Sequence, residues 1–351
     1  GVHFNNRFAG ARLNGCESLG TNEFKLVISP ENTPINTSPM YAFQVWAETS
    51  RTLTLHLSNT HSGVLRRPSV SKDGIRWERV PLGDYRFDRL SRTACLRLEV
   101  GRHTLWVSAV EPIGVEAMDR WTESKAALPF AHETVIGKSI AGYPIHSLTL
   151  GSQTNGNCLL VLGRQHPPEV TGSIGLMAFV DTIVGNSTLA RQFRARFQTV
   201  VVPMLNPDGI EEGHWRSNLG AVDLNRDWRA FSQPETTAAR DLFLSLAHQP
   251  GARPFLFVDF HSTGTNVFYC QSPQKETGPG LLDQWLESIH QRCPKFGFER
   301  YDQHNPGVST AKAWAATTLG IPSATCEFGY NTKPELIRRA AEVGKRCVIF
   351  I

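Results

Sequence analysis

The residues able to do chemistry in this 351-residue chain fall into four short stretches. The first is Gly163-Arg164-Gln165-His166-Pro167-Pro168-Glu169, which sets an imidazole and a carboxylate three residues apart. Neutral imidazole with carboxylate is ligand chemistry that suits zinc, and one tight turn can aim both groups at a point. Alone the pattern is weak: with 12 histidines and Glu at ~5% of positions, roughly 0.6 such matches arise by chance. The second stretch is Asn206-Pro207-Asp208-Gly209, leading to Arg216, Asp223, Asn225 and Arg226. The third is Asp259-Phe260-His261-Ser262, and the fourth is Cys326-Glu327-Phe328-Gly329. His166, Glu169 and His261 make a three-ligand zinc site whose fourth position stays open for water, the catalytic arrangement. Glu327 sits on an otherwise apolar strand, where an unpaired buried carboxylate is costly, so a functional role is expected of it.

Each stretch follows an apolar run, and those runs dictate the scaffold. Residues 145–150, 158–162, 199–205, 255–260 and 323–326 read as strands. Helical patterns at 170–184, 235–247, 281–290, 310–318 and 334–346 alternate with them. The expected fold is α/β: a mixed, mostly parallel sheet flanked by helices on both faces, with ligands bound at the carboxyl ends of its strands. Before it, the segments 41–46, 51–57, 75–80, 94–100 and 104–110 show period-two alternation, with Asp73-Gly74 as a hairpin turn. They predict an all-β antiparallel sandwich. The expected domains are therefore 1–115 and 116–351, joined by a short helical stretch over 113–129 that contains Trp121.

The chain is 40% hydrophobic, enough for a large core. No apolar run approaches the ~20 residues of a membrane span, so no membrane partner is expected. The formal charge of +4 comes from interspersed Lys and Arg. That excludes a dedicated nucleic-acid surface and leaves mild attraction for acidic partners. Seven cysteines without C-x-x-C spacing point to a reducing, cytoplasmic setting and against a thiolate metal site. The first residues show neither a basic nor an apolar leader region, while a first residue other than Met leaves room for a removed leader. Oligomeric state is left open.

In order, His166-x-x-Glu169, Arg216, Asp223-Leu224-Asn225-Arg226, Asp259-Phe260-His261 and Glu327 resemble the zinc metallocarboxypeptidase family typified by carboxypeptidase A. The resemblance runs from residue 134 to the end of the chain. The short spacing from Arg216 to Arg226 and the preceding sandwich are similar to the cytosolic carboxypeptidase subfamily. Its eukaryotic members trim glutamates from tubulin and other acidic C-termini. The resemblance implies one Zn2+ held by His166, Glu169 and His261, Glu327 as general base, and Arg216 as the group that stabilises the oxyanion. It further implies that Asn225 and Arg226 clamp the substrate's terminal carboxylate, and that Asp223 orients His166.

In that subfamily a basic residue in the pocket for the C-terminal side chain pairs with a substrate glutamate. Lys312 in Ser309-Thr310-Ala311-Lys312 fits that place, so the expected partners are peptide or protein C-termini ending in Glu or Asp. Two departures stand out. No tyrosine aligns with the family's mobile lid residue, the nearest groups being Tyr301 and His304 in the loop 301–307, and Pro167-Pro168 stiffens the ligand turn. Two rivals are a same-fold zinc amidase acting on acylated amino acids or peptidoglycan stem peptides, and a binding module built on the sandwich through Trp46, Trp77 or Trp106.

Overall fold

Alternating apolar and polar residues shape the described residues of the first third of the chain into ten strands. In order they are β1 (Val2–Asn5), β2 (Gly15–Gly20), β3 (Glu23–Ile28), β4 (Ala42–Ala47), β5 (Arg51–Asn59), β6 (Ser69–Ser71), β7 (Glu78–Arg79), β8 (Tyr85–Asp88), β9 (Thr93–Val100) and β10 (Leu105–Ser108). The computed structural model describes residues 1–33, 38–61, 66–151, 157–271 and 280–348. The strands form two five-stranded sheets, ordered β1-β4-β10-β6-β7 and β2-β3-β5-β9-β8. All neighbours are antiparallel except β3 and β5, which run parallel. Leu53, Leu55 and Leu57 alternate into the core beside Leu26, Ile28, Leu96 and Leu98. Phe4 of one sheet meets Phe24 of the other edge-on at 5.2 Å, so the sheets face each other as a sandwich. The strand expected over 75–80 shrinks to Glu78–Arg79 because the Asp73 carboxylate accepts the backbone N–H groups of Ile75 and Arg76, at 2.9 and 2.8 Å. A local turn thus takes the donors that a ladder needed.

After α1 (Val115–Ala126), eight strands among the described residues build one sheet: β11 (Ala131–Lys138), β12 (Pro144–Leu150), β13 (Asn157–Gly163), β14 (Gln198–Val202), β15 (Arg253–Thr263), β16 (Val267–Gln271), β17 (Glu299–Asp302) and β18 (Ser323–Gly329). Their order is β11-β12-β14-β13-β15-β18-β16-β17. Four of the seven neighbouring pairs are parallel, including the central β14-β13-β15-β18 run. Strand β13 shows why both faces need helices. Leu159 and Val161 enter one core with Leu176 and Phe179 of α2 (Val170–Val184), and Leu160 and Leu162 enter another with Phe243. The remaining helices are α3 (Thr188–Arg196), α4 (Pro207–Glu211), α5 (Pro234–His248), α6 (Leu281–Arg292), α7 (Ala311–Trp314) and α8 (Pro334–Val348).

Some elements depart from expectation. The helix predicted over 310–318 is a single α turn, α7, that widens into a π turn at Ala315–Leu319. There the Lys312 carbonyl also accepts the Ser323 hydroxyl at 2.8 Å. Tyr301 belongs to strand β17 rather than to a loop. Packing divides the chain into two compact units, Gly1–Val115 with Asp208–Ala221, and Glu116–Pro207 with Val222–Ile351. The division expected from sequence drew no such separate segment at 208–221. Among the described residues no single helix is long and apolar enough to cross a membrane.

Candidate active site

The parallel strands β13, β15 and β18 end side by side, and the chain beyond or at each end carries a polar group. Past β13, Arg164 takes the left-handed φ of 53° and turns the chain sharply. Its buried guanidinium fixes the turn, Nε donating to the Pro167 carbonyl at 2.7 Å and Nη1 to the Ser173 hydroxyl at 3.1 Å. Helix α2 then docks on β15 and β18. The Gly172 N–H donates to Ser262 Oγ at 2.8 Å, and the Thr171 hydroxyl donates to the Phe328 carbonyl at 3.0 Å. A Cβ on Gly172 would stand 2.6 Å from the His261 carbonyl oxygen, so only glycine lets the helix approach this strand.

This docking brings His166, Glu169 and His261 together. One ligand atom from each lies within 4.8 Å of the others, and all three residues are buried. Glu169 Oε1 is 2.8 Å from His166 Nδ1, and Oε2 is 2.7 Å from His261 Nδ1. The opposite ring nitrogens face carboxylates: His166 Nε2 lies 3.0 Å from Asp223, and His261 Nε2 lies 2.8 Å from Asp259. With each Nε2–H donated to its aspartate, both Nδ1 lone pairs converge with Glu169 on one point, and this donor set fits zinc. Pro167-Pro168 does not disturb it.

Asp259 was not singled out from the sequence. It lies two residues before His261 on β15, so period-two geometry sets both on one face. Gln165 was also missed. Its amide donates to Asp259 Oδ2 at 2.7 Å, and its carbonyl accepts the Trp228 indole N–H at 2.8 Å, which braces the aspartate. Asp223 caps the short turn Leu224–Arg226 by accepting the Asn225 N–H at 2.9 Å.

Glu327 sits on β18 directly opposite His261 on β15 in the parallel register. Its Oε2 is buried and has no hydrogen-bond partner. Burial and the neighbouring Glu169 charge push its carboxyl up to about 7. For Glu169, burial opposes ionisation, but His166 and His261 outweigh it and hold the carboxyl well below the usual range. Burial disfavours the charged form of His261, while Asp259 and Glu169 raise its affinity for a proton above the usual value.

The Asn225 side-chain oxygen Oδ1 accepts the Ala311 N–H at 3.0 Å, and Nδ2 of the same side chain lies 3.4 Å from His261 Nε2, joining the metal cluster to the start of α7. On α7, Lys312 is buried at 3% exposure, and its ammonium donates to Gln271 Oε1 at 3.2 Å and to the His304 carbonyl at 2.7 Å. Burial lowers its pKa to about 8. Arg226 is exposed, with Nη1 on the adjacent Asn225 carbonyl at 2.7 Å. Arg216 lies on the segment grouped with the first unit, its backbone N–H donated to Glu31 at 2.7 Å. Tyr301 is exposed and donates to Glu299 at 2.8 Å, and the His304 ring stacks on Tyr269 at 4.1 Å.

The comparisons with known proteins agree with this chemistry. Human cytosolic carboxypeptidase 4 is 30% identical over 165 residues, covering 42% of this chain and 15% of that protein. Bovine cytosolic carboxypeptidase 3 is 24% identical over 311 residues, covering 76% of this chain and 30% of that protein. The chain thus spans less than a third of either relative. A metallo-carboxypeptidase structure from Burkholderia cenocepacia shares the fold, with a TM-score of 0.82 at 19% identity over 99% of this chain and 98% of that one. Residues 118–328 match the family described as zinc carboxypeptidase, and with its metal triad at the strand ends the chain belongs to that family.

Proposed function

We propose that this chain is a metallocarboxypeptidase that removes the last residue of peptides or proteins and prefers Glu or Asp there. The observation that carries the reading is the buried His166, Glu169 and His261 cluster, each histidine backed by an aspartate, with Glu327 opposite His261 and its Oε2 buried without a hydrogen-bond partner. Zinc, when bound, supplies a Lewis acid that polarises the scissile carbonyl and acidifies water to a pKa of about 7. Glu327 takes a proton from the attacking water and passes it to the departing amine as the C–N bond breaks and the C–O bond forms. Its raised pKa suits both steps. Arg216 receives the oxyanion role from the motif order, since a permanently charged guanidinium stabilises the tetrahedral intermediate. Asn225 and the exposed Arg226 hold the terminal carboxylate, which makes the enzyme an exopeptidase.

Lys312 supports the acidic preference. Two of its three N–H donors meet neutral oxygens, on Gln271 and on the His304 backbone, so its charge faces no carboxylate in these bonds. A terminal Glu or Asp side chain adds a charged acceptor for the ammonium, which an apolar one cannot do. The names of the curated relatives, cytosolic carboxypeptidases, support a cytoplasmic setting. The test is a set of peptides that differ only in the last residue, Glu, Lys, Phe or Ala, offered to the zinc-loaded protein. Fastest release of Glu is expected. Faster release of Phe removes the acidic preference, and no release from any of them moves the reading to the amidase.

A further inference from the structure

The segment that bears Arg216 packs within the first unit, held from Glu211 to Ser217 by residues of the first seventy. The Gly10 N–H donates to the Glu211 carbonyl at 2.7 Å. Gly213 has a φ of 62°, and a Cβ there would stand 2.8 Å from the Gly10 carbonyl oxygen and 3.0 Å from that of Ala11. Glycine alone admits backbone this close. The Arg66 guanidinium lies over the Trp215 ring, 5.2 Å from its centroid. Next along, Glu31 Oε1 accepts two successive backbone donors, Arg216 N–H at 2.7 Å and Ser217 N–H at 3.1 Å. Asn32 Oδ1 accepts the Ser217 hydroxyl at 2.8 Å. The other Glu31 oxygen, Oε2, is buried without a hydrogen-bond partner, so this carboxylate is committed to the 216–217 backbone. A carboxylate on two adjacent N–H groups is a charge-assisted clamp, stiffer than a neutral contact.

We infer that Glu31 is a positioning residue for the reaction: by fixing the backbone at Arg216 it sets where that guanidinium is presented. The inference rests on the oxyanion role proposed for Arg216.

The test is a double-mutant cycle on the zinc-loaded full chain, with a peptide ending in Glu as substrate. Glu31→Ala lowers kcat about 10- to 100-fold, the size expected when a catalytic group is misplaced by about 1 Å, while KM and zinc content hold. In an Arg216→Ala background the same change costs nothing further. Glu31→Gln, which keeps a carbonyl oxygen for the two N–H groups, recovers most of the activity. Should Glu31→Ala fail to fold, Glu31→Asp, which draws the acceptor back by one methylene, carries the same cycle. Wild-type kcat in Glu31→Ala alongside an impaired Arg216→Ala overturns the inference and leaves the role of Arg216 standing. Wild-type kcat in Arg216→Ala overturns both. Losses that multiply in the double variant overturn the inference by showing that Glu31 acts elsewhere.

Discussion

The metal triad and Lys312 are both buried, yet their charges are balanced in different ways. Around the triad, Glu169 answers two imidazoles and each imidazole answers an aspartate, so nearly every polar atom already has a partner. Around Lys312, the hydrogen bonds of the buried ammonium among the described residues go to neutral oxygens, on Gln271 and on the His304 backbone. A closed network of this kind holds geometry, whereas an ammonium with neutral partners favours an incoming anion. The first region thus suits a permanent cofactor, and the second is the one proposed above to take a substrate side chain. Glu327 lies between the two cases, a carboxylate opposite a ligand histidine with one oxygen unbonded.

Removing the one reactive group beside the closed network gives the largest effect. Glu327→Gln keeps the shape of the side chain and lowers kcat about 10²- to 10⁴-fold with zinc still bound, checked by steady-state kinetics alongside metal analysis. Loss of zinc in that variant would assign Glu327 to the ligand set instead. The same group sets the acid limb of the rate profile. A base must be deprotonated, so activity falls as pH drops through its pKa. Burial and Glu169 raise that pKa to about 7 in the metal-free protein, and the positive charge of zinc lowers it again. The midpoint therefore lies below about 7, and a limb well above that value contradicts the assignment.

Opening the closed network costs less. Asp223→Asn or Asp259→Asn removes the anion behind one ligand histidine and weakens zinc binding or activity about 10- to 100-fold, measured by competition with a chelator. The two variants should behave alike because the two histidines are backed alike. If only Asp223→Asn weakens binding, the bond from Gln165 to Asp259 is doing structural work only. The smallest change is one of preference. Lys312→Met shifts relative kcat/KM away from terminal Glu toward Phe by about 10-fold, since a charge-assisted bond is lost and an apolar wall gained. In the unaltered protein, preference for Glu weakens as pH rises past about 8, where the buried ammonium loses its proton. An unchanged ranking in Lys312→Met removes the pocket from the account.

The closed region was the more legible of the two in the sequence. His166, Glu169, His261 and Glu327 follow or occupy apolar strands of the sheet, and the strand-end rule gathers them without further information. Asp259 was equally readable, because a polar residue two places before a ligand on a strand must share its face. Gln165 and Arg164 were not, since their roles depend on a left-handed turn and on bonds to Asp259 and Ser173 that no local pattern announces. The grouping of Arg216 was hidden for a stronger reason: its backbone is held by Glu31, 185 residues away in the chain. Local chemistry also overrode periodicity where Asp73 turned the expected strand over 75–80 into a cap. At Lys312 the residue type was visible, but its bonds to Gln271 and to the His304 backbone emerge only once β16, the segment at His304 and α7 meet.

The most direct test of the central claim is to offer the zinc-loaded protein one peptide ending in Glu in two forms, as the free acid and as the C-terminal amide, and to read the products by mass. The account predicts that the free acid loses a single residue while the amide stays whole, because Asn225 and Arg226 have no carboxylate to hold. Equal cleavage of both forms, or cleavage of neither with zinc bound, contradicts it.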